Sequence, residues 1–250
     1  MLNQQALAQP RNKPRLSVSL ARDEHEVREA QRLRYKVFAE ELGAQLVPLE
    51  AGLDQDRFDA FCDHLLVRDS ASGEVIGTYR ILPPHQARQI GGYYSEQEFD
   101  FTRLAHLRDG MVEIGRSCVH PDYRGGAVIT LLWSGLADYL RVRDYDYLMG
   151  CASIGMQDGG HTAASVYRQL AETRLAPAEW RVFPRHPLAL AQLDSRQPVS
   201  TPPLIKGYLR VGAFVCGEPA WDADFNTADL MLLLSVKEMN QMYARHFMNK

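Results

Sequence analysis

The stretch MVEIGRSCVHPDYRGGAVITLLWSGLADYLRVR, residues 111–143, gives the clearest indication of the fold. Residues 111–120 are largely apolar and end at turn residues, which predicts a buried strand. A turn with two glycines follows at 121–126, and residues 127–143 then predict a helix. The apolar positions of that helix are Val128, Leu131, Leu132, Leu136 and Tyr139. A strand, a tight turn and a helix in this order are typical of an α/β domain.

The segments before this stretch extend the alternation of strands and helices. Residues 15–21 alternate apolar and polar side chains, as a half-buried strand does. The sequence DEHE at 23–26 fits a capping box at the start of a helix, and Gly43 is a suitable end for it. Residues 64–69 and 74–82 flank a Ser-Ala-Ser-Gly turn and predict a β-hairpin.

The remaining segments complete a single-domain pattern. The sequence predicts an irregular stretch at 83–109, strands at 145–154, 206–217 and 227–236, and helices at 162–173 and 237–247. No internal repeat or large shift in composition marks a second domain. We therefore expect one α/β domain over residues 15–250, built on a mixed twisted sheet flanked by helices, behind a flexible tail at 1–14.

Composition and charge exclude several classes of protein. The chain is 46% hydrophobic and 24% charged, with a formal net charge of −3, which argues against a basic nucleic-acid binder and against a disordered chain. Its apolar runs are shorter than the roughly 18–20 residues of a spanning helix, and its first residues lack a signal-peptide core. The 4 cysteines have no CxxC spacing and the 8 histidines no HxxxH spacing, so we expect neither disulfides nor a metal.

The turn at residues 123–126, Tyr-Arg-Gly-Gly, is a candidate anion site. Two glycines let backbone N–H groups converge at a helix N-terminus, where the helix dipole favours an anion, and Arg124 adds a positive charge. A plain turn between strand and helix explains the same residues equally well.

Glu113 is an acid in an otherwise apolar strand, and Arg116 follows three residues later. In a regular strand these side chains point to opposite faces, whereas a bulge near Gly115 would bring them to one side. A buried carboxylate with a shifted pKa is a candidate general base. A structural ion pair is the alternative.

Two further arginines lie in apolar elements. Arg34 falls on the apolar stripe of the first predicted helix, and Arg80 lies near the end of a hairpin strand. A buried guanidinium requires carboxylates, which three nearby acids can supply. These acids are Asp54, Asp56 and Asp59. Each arginine alone is explained by structure, but the set together predicts a polar substrate cleft.

These residues resemble a known superfamily. The order of elements and the Tyr-Arg-Gly-Gly turn are similar to the Gcn5-related N-acetyltransferase fold, and more narrowly to the acyl-homoserine-lactone synthases. Four motifs of that family are matched here. Its helix carries an Arg and a Phe, matched by Arg34 and Phe38, and its Asp-x-x-Asp is matched by Asp56 and Asp59. Its strand Arg is matched by Arg80, and its Glu-x-x-Arg by Glu113 and Arg116. Ala44 stands where that family has a tryptophan.

A closer resemblance, to the bacterial ornithine–acyl carrier protein N-acyltransferases, extends over nearly the whole chain. These hemolysin-like acyltransferases are also called lyso-ornithine lipid synthases. The matching segments are LRYKVFAEELG (33–43), FCDHLLV (61–67), GYYSEQEFDF (92–101), EIGRSCVHPDYRGG (113–126) and PPLIKGYLRVGAFVCGEPAWDADFNTADL (202–230). The resemblance implies transfer of a 3-hydroxyacyl group from acyl carrier protein to the α-amine of ornithine, by direct attack and without an enzyme-bound intermediate.

The resemblance also implies roles for individual residues. Glu113 would take the proton of the acceptor ammonium, with Arg116 orienting it and keeping it ionised. Backbone N–H groups of a splayed strand near Cys118 would polarise the thioester carbonyl. The turn Arg124-Gly125-Gly126 would hold the phosphopantetheine phosphate. No cofactor is bound permanently, and the acyl-phosphopantetheine of acyl carrier protein is the co-substrate.

Ornithine needs acids for its amines and an arginine for its carboxylate. Asp222 and Asp224, beside Trp221, are candidates for the amines, and Arg34 or Arg80 for the carboxylate. Phe38, Asp56 and Asp59 complete the expected substrate-binding set. A turn whose aspartates only cap backbone N–H groups is the alternative for the loop at 218–226.

Two further side chains and three groups of basic residues are candidates for roles in packing, catalysis or docking. Cys118 fits core packing better than nucleophilic catalysis, and Tyr167 either protonates the leaving thiolate or packs its helix. Basic residues that could dock an acidic carrier protein are Arg124, Arg141 with Arg143, and Arg181 with Arg185.

The expected partners are acyl carrier protein and ornithine, with no nucleic acid. We expect a cytoplasmic protein, with peripheral contact at the inner membrane left open. The alternatives are an acyltransferase for another amine (lysine, glycine or the acceptor of homoserine-lactone-type autoinducer synthesis) and a non-catalytic protein that binds lipid or carrier.

Overall fold

The computed structural model describes residues 15–47 and 49–239. The expected tail at 1–14 and most of the expected helix at 237–247 lie outside the described residues. The strands are β1 (Leu16–Leu20), β2 (Asp63–Asp69), β3 (Val75–Leu82), β4 (Phe99–Asp100), β5 (Met111–Val119), β6 (Tyr147–Gly155), β7 (Phe183–Pro184), β8 (Phe214–Val215), β9 (Ala220–Asp222) and β10 (Thr227–Ser235). The α-helices are α1 (Glu24–Tyr35), α2 (Pro84–Ile90), α3 (Ala127–Arg143), α4 (His161–Arg174) and α5 (Pro203–Val211).

One large mixed sheet organises these elements, as the sequence predicted. Its strand order is β1-β2-β3-β5-β6-β10-β8, and β9 pairs with the first three residues of β10, Thr227 to Asp229. All neighbouring strands in this sheet are antiparallel except β5 and β6, which are parallel. The short strands β4 and β7 form a separate pair. None of the helices in the described ranges is long and apolar enough to cross a membrane.

Helices cover both faces of the sheet because its central strands are apolar on both sides. The helices α3, α4 and α5 pack on one face, here called the α3 face, against residues such as Ile114, Leu148 and Leu232. On the opposite face, the α1 face, α1 and α2 cover Leu66, Met149 and their neighbours. The site described below is centred on β5, β6 and β10 at the middle of this sheet, and neighbouring strands and loops add further side chains.

Helix α1 starts and ends close to the predicted residues. The Asp23 carboxylate accepts a hydrogen bond from the Glu26 N–H at 3.0 Å, which is the expected cap. In a capping box the Glu26 carboxylate would accept a hydrogen bond from the Asp23 N–H. Here it accepts from the Arg22 N–H at 2.8 Å instead. A π-helical turn at Lys36–Glu41 extends the helix until Gly43, whose φ of 78° stops it.

Two sequence predictions of secondary structure are wrong. The predicted strand at 206–217 is mostly helix α5, followed by the two-residue strand β8. Aromatic and β-branched residues suggested a strand there, but Ile205, Tyr208 and Leu209 are buried at helical spacing and favour a helix. The stretch at 83–109, predicted to be irregular, contains α2 and two 3-10 segments.

Strands β5 and β6 separate in the middle of the sheet. Their parallel pairing runs only from Met111 opposite Tyr147 to Glu113 opposite Met149, although both strands continue for several residues. Gly150 lies where they part, and a Cβ there would overlap the Ile114 carbonyl oxygen. The glycine therefore allows close approach immediately before the two strands diverge.

A bulge is present near Gly115, which is the condition for Glu113 and Arg116 to lie on one side of the strand. Arg80 of β3 lies opposite Gly115, but Thr78 lies opposite Cys118, so two steps along β3 face three along β5. The extra residue falls at Arg116, whose φ is 48°. This bulge turns Arg116 towards the α1 face, the same side as Glu113.

Candidate active site

A cavity of about 280 Å³ opens where β5 and β6 separate, and we call it the inner cavity. Its walls come from both faces of the sheet, so it passes through the gap between the two strands. On the α1 face the walls carry polar groups, and on the α3 face they are almost entirely apolar. A more open outer cavity of about 630 Å³ adjoins it and shares walls such as Tyr94, Glu98, Arg116 and Asp222.

Glu113 lies on the polar side of the inner cavity and is only 4% exposed. Its carboxylate accepts hydrogen bonds from the Tyr94 N–H at 2.7 Å, from the Ser95 N–H at 2.8 Å and from the Ser95 hydroxyl. Burial raises the pKa of Glu113 above its usual value, and these hydrogen bonds and Arg80 only partly oppose that shift. A fixed carboxylate of raised proton affinity is suited to general-base work.

Arg116 shares the face of Glu113 but has other partners. Its guanidinium forms ion pairs with Asp54 at 3.2 Å and with Asp56 at 3.4 Å. The rings of Tyr94 and Phe225 lie against it, with centroids 4.8 Å and 4.6 Å from the guanidinium carbon. The expectation that Arg116 orients Glu113 is therefore wrong, because Tyr94 and Ser95 hold that carboxylate.

The arginine–aspartate pairing predicted for Arg34 is confirmed. Arg34 is fully buried and donates to Asp54 and to Asp59, each at 2.9 Å. Arg34, with help from Arg80, holds the pKa of Asp59 well below its usual range against the effect of burial. Arg34 borders neither cavity, so a direct contact with an acceptor carboxylate is contradicted by its position. We assign Arg34 and Asp59 to the support of the site.

Arg80 and Phe38 do line the inner cavity, and Asp56 lines the outer one. The Arg80 guanidinium reaches Asp56 at 2.7 Å and Asp59 at 3.2 Å. Arg80 and Arg116 thus present cationic groups to the inner cavity while remaining fixed by carboxylates behind them.

Two acids that sequence reasoning missed also line the inner cavity. Asp229, on β10, and Glu98, just before β4, have ligand atoms within 4.8 Å of one another and of the Cys151 sulfur. Burial raises the pKa of both carboxyl groups, and Asp229 raises that of Glu98 further. An acid inside the apolar run TADLMLLLSV was the available signal for Asp229. Glu98 gave none, because it lies in a segment without periodicity.

The loop at 218–226 supports both earlier interpretations in part. Asp222 lines both cavities, yet its carboxylate accepts from the Asp224 N–H at 2.9 Å and the Phe225 N–H at 3.1 Å, as a turn cap does. Asp224 borders only the outer cavity, together with the half-exposed Trp221.

The Tyr-Arg-Gly-Gly turn follows β5, at the end where the strands have parted. Gly126 begins α3 with a φ of 93°, and Arg124 is exposed and ion-paired with Glu41 at 2.6 Å. Arg141 and Arg143 lie at the far end of α3, about 25 Å away along a helix of 17 residues. These arginines and Arg124 therefore do not form one compact docking patch.

Cys118 and Tyr167 have environments of different kinds. Cys118 is buried against α1, and burial raises its pKa to about 12, so the thiol stays protonated and serves packing. Tyr167 is half-buried on α4 against the core of the α3 face. It does not line either cavity.

Known proteins resemble this chain in sequence and in fold. The profile of the acetyltransferase (GNAT) domain matches residues 33–134. An L-ornithine N(alpha)-acyltransferase of Rhodobacter capsulatus is 40% identical, covering 92% of this chain and 93% of that protein. The L-ornithine N(alpha)-acyltransferase of Brucella abortus is 36% identical, with 93% and 88% covered.

Solved structures with this fold include two synthases. One is FeeM, an N-acyl amino acid synthase from uncultured soil microbes, with a TM-score of 0.56 and 15% identity over 90% of this chain and 93% of that chain. The other is the AHL synthase LasI, with a TM-score of 0.53 and 15% identity over 89% and 91%. At this identity the likeness establishes the fold alone.

Proposed function

The chain belongs to the L-ornithine N(alpha)-acyltransferase family, and from that premise we propose that it moves a fatty acyl group from acyl carrier protein to the α-amine of ornithine, giving lyso-ornithine lipid. The observation that carries the proposal is the position of Glu113 at the point where β5 and β6 separate, with a polar cavity wall on one face of the sheet and an apolar wall on the other. A charged amino acid and a fatty acyl chain require walls of these two kinds.

The acceptor would occupy the polar side. Its α-ammonium loses a proton to Glu113, directly or through a water, and the free amine then attacks the thioester carbonyl. Arg80 and Arg116 are the cationic side chains available to its carboxylate in the inner cavity. The N–C bond forms, the C–S bond breaks, and the sulfur leaves as a thiol after taking up a proton.

The thioester would lie across the strand gap. Beyond Glu113, strand β5 has no pairing with β6, so amide groups on that edge are free to donate to a ligand. An amide donor near Cys118 would stabilise the negative charge that develops on the carbonyl oxygen. The phosphate of phosphopantetheine would bind at Arg124, Gly125 and Gly126, where α3 begins.

The acyl chain would extend to the α3 face. The apolar walls there come from β3, β5, β6, β10 and α5, and burial of each methylene of the chain is worth about 0.8 kcal/mol. The residues are Tyr79, Ile114, Leu148, Leu204, Tyr208, Ala213, Leu232 and Leu234.

We also expect a cytoplasmic protein with peripheral contact at the membrane, since the product is an amphiphile. Leu42, Val47, Leu49 and Trp221 are largely exposed, and Leu42, Val47 and Trp221 border the two cavities. Apolar side chains around a cavity mouth would let the product pass into lipid. Co-sedimentation with lipid vesicles, compared between the wild type and a variant with Val47→Ser and Leu49→Ser, tests this contact.

A reaction with purified components tests the function. The protein is mixed with 3-hydroxyacylated carrier protein and ornithine, and free thiol and acylated ornithine are measured together. We expect the two to appear in equal amounts and only when ornithine is present. Thioester that stays intact at every ornithine concentration would instead identify a non-catalytic binding protein.

A further inference from the structure

Five of the acids near the site, leaving Glu113 aside, fall into two groups. Asp54, Asp56 and Asp59 are each ion-paired with an arginine. Glu98 and Asp229 have no ion pair with any lysine, arginine or histidine in the described ranges, although Asp229 is only 5% exposed. Burying a carboxylate without a cation is costly. The second group therefore lacks the cation that the fold provides for the first, although the Asp229 carboxylate accepts a hydrogen bond from the Thr227 hydroxyl at 2.8 Å.

This pair without a cation faces the inner cavity, which Glu113 also lines. The Cys151 sulfur lies 3.3 Å from the Ser95 hydroxyl oxygen and 3.7 Å from a Glu98 carboxylate oxygen. The same Ser95 hydroxyl donates to Glu113. A chain of contacts through Cys151 and Ser95 therefore connects Glu98 to the expected base. A small molecule with its α-amine at Glu113 can bring a second group to Glu98 and Asp229 within the same cavity.

We propose that Glu98 and Asp229 are the specificity-determining residues that bind the side-chain ammonium of the acceptor. This inference rests on the proposed function, because it assumes that the inner cavity receives the amino acid. It assigns the second ammonium of ornithine to this pair and leaves Asp222 and Asp224 mainly to the structure of their loop. An acceptor with an uncharged side chain would leave the pair without its cation.

Proton release accompanies binding in this arrangement. The charged or titratable groups around the pair are Glu113, Arg116, Cys151 and Asp222. Burial raises the pKa of both carboxyl groups, repulsion from Asp229 raises that of Glu98 further, and repulsion from Asp222 raises that of Asp229, so the pair retains a proton that isolated carboxyls would lose. An ammonium group placed between them favours the ionised form, and the proton leaves.

Paired substrates and matched variants test the proposal. Norleucine has a methyl group where ornithine has its side-chain ammonium. Glu98→Gln and Asp229→Asn are each expected to lower kcat/KM for ornithine at least about thirtyfold, the minimum loss when one partner of a buried charge pair is removed, and to leave norleucine within about threefold. Asp100→Asn, an acid outside both cavities, is the control and changes neither.

Calorimetry on the wild-type protein gives a second readout that needs no variant. Ornithine binding, measured near pH 7.5 in buffers of different ionisation enthalpy, is expected to release protons, whereas norleucine binding releases none. Equal proton release by both amino acids, or variants that lose both substrates equally or neither, would overturn the inference. Wild-type protein that acylates no ornithine would instead refute the proposed function, and the two failures are thus distinguishable.

Discussion

Replacing Glu113 with Gln keeps the shape of the side chain and removes its ability to take a proton. The structure gives the carboxylate three donors, from Tyr94 N–H, Ser95 N–H and the Ser95 hydroxyl. An amide offers one oxygen to these donors and turns its NH₂ towards the others, and a buried donor without an acceptor costs about 1–3 kcal/mol. Removal of a buried ionisable group offsets part of that cost. We therefore expect the free energy of unfolding to fall by less than about 3 kcal/mol.

The loss in rate should exceed the loss in stability. A positioned general base contributes roughly 10²–10⁴ in rate, so Glu113→Gln should lower kcat by that factor. In the wild type, kcat/KM should fall as the pH drops below the raised pKa of Glu113, because the base is then protonated, and the variant should lose this acidic limb. Steady-state thiol release across pH, alongside thermal unfolding, measures both effects. Unchanged turnover in a protein of normal stability would remove Glu113 from the mechanism.

Three other changes test separate parts of the site. Ser95→Ala removes a hydrogen bond that lowers the pKa of Glu113, so the acidic limb of kcat/KM should move to higher pH, and a fixed limb would contradict this. Gly150→Ala places a Cβ against the Ile114 carbonyl, so the free energy of unfolding should fall by about 1–3 kcal/mol and activity should fall. A melting temperature equal to that of the wild type would contradict this. Arg124→Glu should raise KM for the carrier donor several-fold, whereas Arg141→Glu, at the far end of α3, should not; equal effects would argue against phosphate binding at the turn.

Much of the fold follows from local sequence patterns. The strand, turn and helix at 111–143, the hairpin and the large mixed sheet are as predicted, because apolar periodicity and turn residues agree in those segments. Helix α5 was mistaken for a strand because its short apolar segment fits both periods. Burial of Ile205, Tyr208 and Leu209 against the α3 face favours the helix. The strands that build this face are distant in the sequence.

The site was predictable where one residue conflicts with its surroundings. Glu113 in an apolar strand, the bulge at Arg116 and the aspartates required by Arg34 could each be inferred from charge in an apolar element. The partners of Glu113 could not, because Tyr94 and Ser95 lie in a segment without periodicity whose backbone amides carry the contact.

The central claim is that this chain joins a fatty acyl group to the α-nitrogen of ornithine. The most direct test is tandem mass spectrometry of the product formed by purified protein, 3-hydroxyacylated carrier protein and ornithine. The account predicts one acyl group per ornithine, attached at the α-nitrogen, in an amount equal to the thiol released. A product acylated at the side-chain nitrogen, or thiol release without any acylated ornithine, would contradict it.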